Sequence, residues 1–164
     1  MPGHLDFYAV VLFVHIAAAV VAFGGMFAFP VIDATLRRAD LRALPAWHDT
    51  QIQIGRKLIT PGAIVVLIAG IYLVSDRWSD SGGAWISIAG VIVVVLLGLV
   101  HAYLIPQCRR LRDQAKADLA AGAAEQGKMS ASYAALAAPA ARVGALTGVL
   151  VLVALLLMVW KPGA

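Results

Sequence analysis

The 164-residue sequence predicts an all-α fold, an integral-membrane four-helix bundle, and three observations carry that prediction. Charged residues make up only 13% of the chain, about half the share found in soluble domains. Mean hydropathy is +0.87. Four apolar stretches, residues 7–32, 58–75, 84–105 and 143–160, contain no Asp, Glu, Lys or Arg. Each approaches or exceeds the roughly 18–20 residues that cross ~30 Å of hydrocarbon. An outer-membrane β-barrel would show short alternating segments instead. The whole chain, 1–164, therefore reads as one four-span domain.

The first stretch begins within "MPGHLDFYAV", which has no Lys or Arg. Its apolar run is too long for a secretory h-region, so it is expected to be a retained first span. Residues 33–57 and 106–142 are too long for plain turns and rich in Ala and charge. They are expected to carry the helices beyond the bilayer, with breaks near Pro45 and near Gly122–Gly127. The short connection from Asp76 to Gly83 makes the second and third spans antiparallel neighbours. The halves hint at a duplication, since Pro30 with Arg37–Arg38 is echoed by Pro106 with Arg109–Arg110.

Charge sets the expected orientation. Arg37, Arg38, Arg42, Arg56, Lys57, Arg109, Arg110, Arg112, Lys116, Lys128 and Arg142 all fall in the two long connections, eleven of the 13 basic residues. The positive-inside rule then places both long connections in the cytoplasm and both termini outside, in a bacterial inner membrane. The net charge of +4 reads as topology and anionic-lipid contact and excludes a nucleic-acid footprint. Trp78, Trp85 and Trp160 fall at the outer boundary, as an indole belt. His4 and His48 read as solvated residues.

His15 is the polar exception inside a span. At 100° per residue it shares a helix face with Tyr8, Ala18, Ala19, Ala22, Gly25 and, past Pro30, Asp33. Small residues at that spacing let helices approach closely in lipid and turn His15 toward a partner helix. In the third span Ser87, Gly90, Val94, Gly98 and His101 share a face, expected to line the interior. His15 and His101 are the candidate cofactor-binding residues. Their depths, about 12 and 26 Å from the outer ends at 1.5 Å per residue, rule out joint ligation of one metal or haem. His101 is expected at the cytoplasmic interface beside Tyr103. His15 is read either as a histidine bonded across helices or as an axial ligand or proton relay.

Other chemistries are missing from the sequence. CxxC, HExxH, GxxxxGK[ST] and GxSxG do not occur, and no carboxylate lies at mid-membrane, which counts against a proton-coupled exporter. The single cysteine, Cys108, allows no intramolecular disulfide. No catalytic residue and no metal centre is assigned.

His15, Phe23, Gly25, Phe27 and Pro30 resemble the H-x7-F-x-G-x-F-x-x-P run of HemJ-type membrane protoporphyrinogen oxidases. His15 followed by Gly24–Gly25 also resembles CopD-like copper-resistance domains. "GRKLITPGAIVVLIAGIYLV" and "WISIAGVIVVVLLGLVHAYLIPQCRRL" are similar to the HemJ second and third spans. The resemblance implies a four-helix plan and haem b chemistry. HemJ carries a His-x-Lys pair just after the third-span tryptophan, whereas Ser87 and Ala89 stand there in this chain, which argues against the oxidase activity. The chain is most similar to an uncharacterised bacterial membrane family, domain of unknown function 2269, that shares this plan. Three functions stay open. The first is a structural or accessory protein that meets a membrane complex, or a second copy, through its Gly/Ala faces. The second is a haem-binding or redox protein with His15 as axial ligand. The third is an oligomeric permease.

Overall fold

Asp6 opens the first helix by accepting a hydrogen bond from the Tyr8 amide at 3.4 Å, satisfying one of the donors that a helix start leaves unpaired. The computed structural model describes residues 6–77 and 83–162, with Arg77 by its backbone alone. Four helices long and apolar enough to cross a membrane follow: α1 (Phe7–Ala39), α2 (Leu41–Asp76), α3 (Ala84–Ala120) and α4 (Ala131–Trp160). No strand occurs among the described residues.

Prolines shape these helices. A proline lacks the amide and crowds the carbonyl four residues back. In α1 the backbone tightens to a 3-10 turn over Gly24–Ala28 just before Pro30. In α2 and α3 it widens instead to π turns, over Gly55–Ile59 before Pro61 and over Val100–Leu104 before Pro106. The Thr60 amide bonds the Gly55 carbonyl, and the Ile105 amide bonds the Val100 carbonyl. Such local adjustments keep backbone groups satisfied where water is absent.

Both expected breaks occur, one displaced. Pro45 sits in the first turn of its α-helical segment, where a missing amide costs nothing. The chain turns earlier, at the extended Asp40 (φ −156°, ψ 96°), whose carboxylate accepts from the Arg42 amide at 2.9 Å. After α3, Gly122 (φ 86°) and Gly127 (φ 68°) take left-handed conformations that favour glycine and bracket a short helix, Ala123–Gln126. Ser130 then caps α4 through the Tyr133 amide.

Helix α1 packs on α2 and α3 on α4, and α2 and α3 join most closely through their basic ends, while α1 scarcely touches α4. One core within the apolar stretches includes Ala22, Ala63, Val66, Val93 and Leu96. A second, at the basic end, gathers Leu44, Leu111, Ala115, Tyr133 and Ala137. Outside these cores, residues such as Val20, Ile68, Ile71, Val91 and Val159 are exposed. In a membrane that surface meets acyl chains.

Two expected faces need correction. Ala22 is buried against α2, so closely that a Cβ on Gly62 would lie 2.7 Å from the Ala22 Cβ. Gly25, however, is exposed with open space beside it. The α-helix gives way to the 3-10 turn at Gly24, so the regular spacing that placed Gly25 on that face ends one residue before it. In α3 the buried face is Trp85, Ala89, Ile92, Val93, Leu96 and Val100, while Ser87, Val94, Gly98 and His101 are exposed. Alanine and branched side chains make that contact, and Gly90 and Gly98 have nothing close to them. Trp85 is therefore buried rather than part of a belt, whereas Trp160 is exposed. Trp78 and His4 lie outside the described residues.

Candidate functional site

His15 faces α2. Its Nδ1 lies 3.0 Å from the Val66 carbonyl oxygen. A carbonyl only accepts, so Nδ1 carries the proton, and in the neutral ring Nε2 keeps its lone pair. Among the described residues Nε2 makes no hydrogen bond. Room for the ring comes from Gly70, where a Cβ would lie 3.3 Å from His15 Cε1.

Two cavities meet at this imidazole. One, about 260 Å³, lies among all four helices, and the other, about 410 Å³, lies between α2 and α3 and reaches Ser75. His15, Val66, Ala89, Val93 and Met158 line both. Of these five only His15 and Met158 have a heteroatom in the side chain. Apart from His15 and Ser75 the walls are apolar or glycine, with the Met158 thioether the one further donor atom. Met158 drew no notice as sequence, because a lone methionine in an apolar helix is ordinary core filling.

His101 is elsewhere. Its Nε2 lies 2.8 Å from Thr60 Oγ1, and that hydroxyl donates to the Gly55 carbonyl at 2.7 Å. The hydroxyl therefore accepts from His101 Nε2–H, which ties the two π turns together. On α2 the partners of His15 and His101, Val66 and Thr60, are six residues apart, or about 9 Å along the axis. The structure does not bring the two imidazoles together.

At the basic end a polar network appears that the sequence reading placed in solvent. His48 is 2% exposed. Tyr133 Oη lies 2.7 Å from its Nε2, and Gln51 Oε1 lies 2.9 Å from its Nδ1. The amide oxygen only accepts, so His48 donates through Nδ1 and accepts the Tyr133 hydroxyl proton at Nε2. Cys108 Sγ donates to the same Gln51 oxygen at 3.8 Å. Arg37, paired with Asp33 at 2.6 Å, lies over the Tyr133 ring, 5.0 Å from its centroid.

These groups lie outside the four apolar stretches, and burial dominates their acidities. It lowers the pKa of His48, against the Gln51 hydrogen bond and the nearby Asp33 charge. It pushes the Cys108 thiol up to about 11 and the Tyr133 hydroxyl up to about 12. All three are neutral near pH 7, so the network is a structural tie rather than a source of nucleophile or base. Segment 41–54 mixes apolar and polar residues without marking His48 as interior, and the burial of His48 comes from α3 and α4. Among the described residues no three His, Cys, Asp or Glu side chains converge on a metal-sized space.

A family model described as a predicted integral membrane protein (DUF2269) matches residues 9–162. No curated protein and no solved structure matches the chain.

Proposed function

We propose that this chain, which belongs to the DUF2269 family of predicted integral membrane proteins, holds a haem-type macrocycle through His15, with Met158 as the second donor. The observation that carries the reading is His15 Nε2, unbonded at the meeting of two apolar cavities while Nδ1–H is held by the Val66 carbonyl. Metal-ligating histidines are oriented in this manner, by donating their other ring nitrogen to a carbonyl or carboxylate. Histidine and methionine are both axial haem donors, and the apolar walls suit a macrocycle and exclude water. When bound, such a group supplies one-electron transfer. In this reading Val66 fixes the imidazole tautomer, Gly70 leaves space for the ring, and Ala89 and Ala154 keep the walls thin.

The positive-inside rule completes the proposal: the basic ends of the helices lie in the cytoplasm, the His15 cavities open nearer the outer face, and the membrane is the bacterial inner one. The test is an absorption spectrum of detergent-purified protein after haem-replete expression. A Soret band is expected. It should vanish in His15→Ala, and in Met158→Leu it should persist but shift from a six-coordinate to a five-coordinate form. A colourless wild-type protein sinks the haem reading. A full band in His15→Ala sinks the ligand assignment.

A second reading, an accessory protein of a larger membrane complex, draws on a different observation. Gly25, Gly98 and Gly144, which line neither cavity, have open space beside them. Bare backbone at such places admits a neighbouring helix. Colourless protein that runs within a larger complex would favour it. The two cavities offer a permease little support, since a polar path through them would rest on His15 and Ser75 alone.

A further inference from the structure

We propose that the basic end of α1 carries a site for one anionic phospholipid, with the acyl chain along Pro30–Ala34 and the phosphate at Arg38. Two cavities adjoin there. One is a shallow, open trough of about 650 Å³ along a single face of α1, lined by Pro30, Val31, Ala34, Thr35, Arg38 and Ala39. The other, about 250 Å³, is framed by Arg37, Arg38, Asp40 and Arg42 with Ala124 and Gly127. Arg38 and Ala39 belong to both, so an apolar trough runs directly into a pocket lined by three arginines and the Asp40 carboxylate.

The charges in the pocket are not equivalent. Arg37 is committed to Asp33 at 2.6 Å, and Arg42 to Glu125 at 3.0 Å. Asp40 accepts from the Arg42 amide. Arg38 has no ion pair or hydrogen bond among the described residues, and its residue is exposed. It is the cation left to meet an outside anion. A guanidinium binds phosphate with a planar fork of donors, and its long stem crosses the apolar boundary with little cost. The Thr35 hydroxyl is turned back to the Val31 carbonyl at 2.8 Å, which leaves the groove floor with no free hydroxyl. The groove itself lies where the apolar stretch 7–32 gives way to charge, the depth of the headgroups. A lipid fits this arrangement better than free phosphate, because the trough would add nothing to binding of a small anion.

The test reconstitutes the full chain in phosphatidylcholine vesicles carrying a trace of spin-labelled phosphatidylglycerol or spin-labelled phosphatidylcholine. The wild type should hold the anionic probe preferentially. Arg38→Gln should reduce that preference about five-fold, the loss that corresponds to about 1 kcal/mol per basic residue at the surface. Ala34→Trp, which fills the groove on an exposed face, should reduce it as well, while Arg142→Gln on α4 should leave it unchanged. Equal preference in wild type and Arg38→Gln overturns the site. Loss of preference on adding inorganic phosphate, or an Ala34→Trp protein that behaves as wild type, overturns the acyl groove and leaves a bare anion pocket.

Discussion

Single side chains separate what the sequence spells out from what it conceals. That His15 points at another helix follows from its spacing to Ala18, Ala19 and Ala22, and its bond to Val66 agrees with that geometry. His48 was illegible by the same method. Its own segment mixes apolar and polar residues, and its partner Tyr133 lies 85 residues away. The pair yields two expectations. Removing the hydroxyl in Tyr133→Phe leaves His48 Nε2 buried without a donor, at a cost of about 1–3 kcal/mol. Burial also holds the pKa of His48 below its ordinary 6.5 in the fold. Unfolding lets the ring take up a proton once pH falls below that value, so the His48 contribution is flat above pH 6.5 and stability declines beneath it. Thermal unfolding in detergent across roughly pH 5 to 8 reads both effects. A variant as stable as wild type, or a profile with no acid decline, contradicts this account.

At the scale of elements, the apolar runs located the four long helices but could not locate the irregular turns inside them. Prolines marked places for disturbance but not its sense, since the backbone tightens before Pro30 and widens before Pro61 and Pro106. The opposed π turns are tied by Thr60 and His101, residues far apart in the chain. Small residues do not mark the contact face of α3: Gly90 and Gly98 stand open, while Ala89 and branched side chains are buried. A comparison of glycines makes the distinction measurable. In Gly62→Ala the new methyl meets Ala22 Cβ at 2.7 Å and the Ala18 carbonyl oxygen at 3.3 Å. Neither can swing aside as a flexible side chain would, so α1 and α2 must part, for about 1–3 kcal/mol. Gly98→Ala, with nothing near it, should match or exceed wild-type stability, since alanine favours helix. Equal melting of the two variants would show that the α1–α2 contact is looser than described.

At the scale of the whole molecule, the two ends differ. The basic end has its own core, the His48 network and ion pairs such as Arg112–Asp49 at 2.9 Å. The other end holds the cavities at His15. Charge asymmetry along the chain marked where the basic end lies but not that it packs a core, since His48 reads as solvated by sequence. The cavities had no sequence signal, being gaps between four helices. Sidedness can be measured directly. On a Cys108→Ser background, a cysteine at Asp40 should resist a membrane-impermeant thiol reagent in intact cells, and one at Lys161 should react. The reverse pattern would invert the proposed orientation.

The cavity among the four helices is walled by Ile16 and Val20 on α1 and by Leu155 on α4, exposed side chains whose backbones do not pack closely, and a seam between them would face lipid. Exchange through such a seam is lateral. Occupancy would then follow the mole fraction of a solute dissolved in the bilayer, so partitioning selects the visitor before any side chain does.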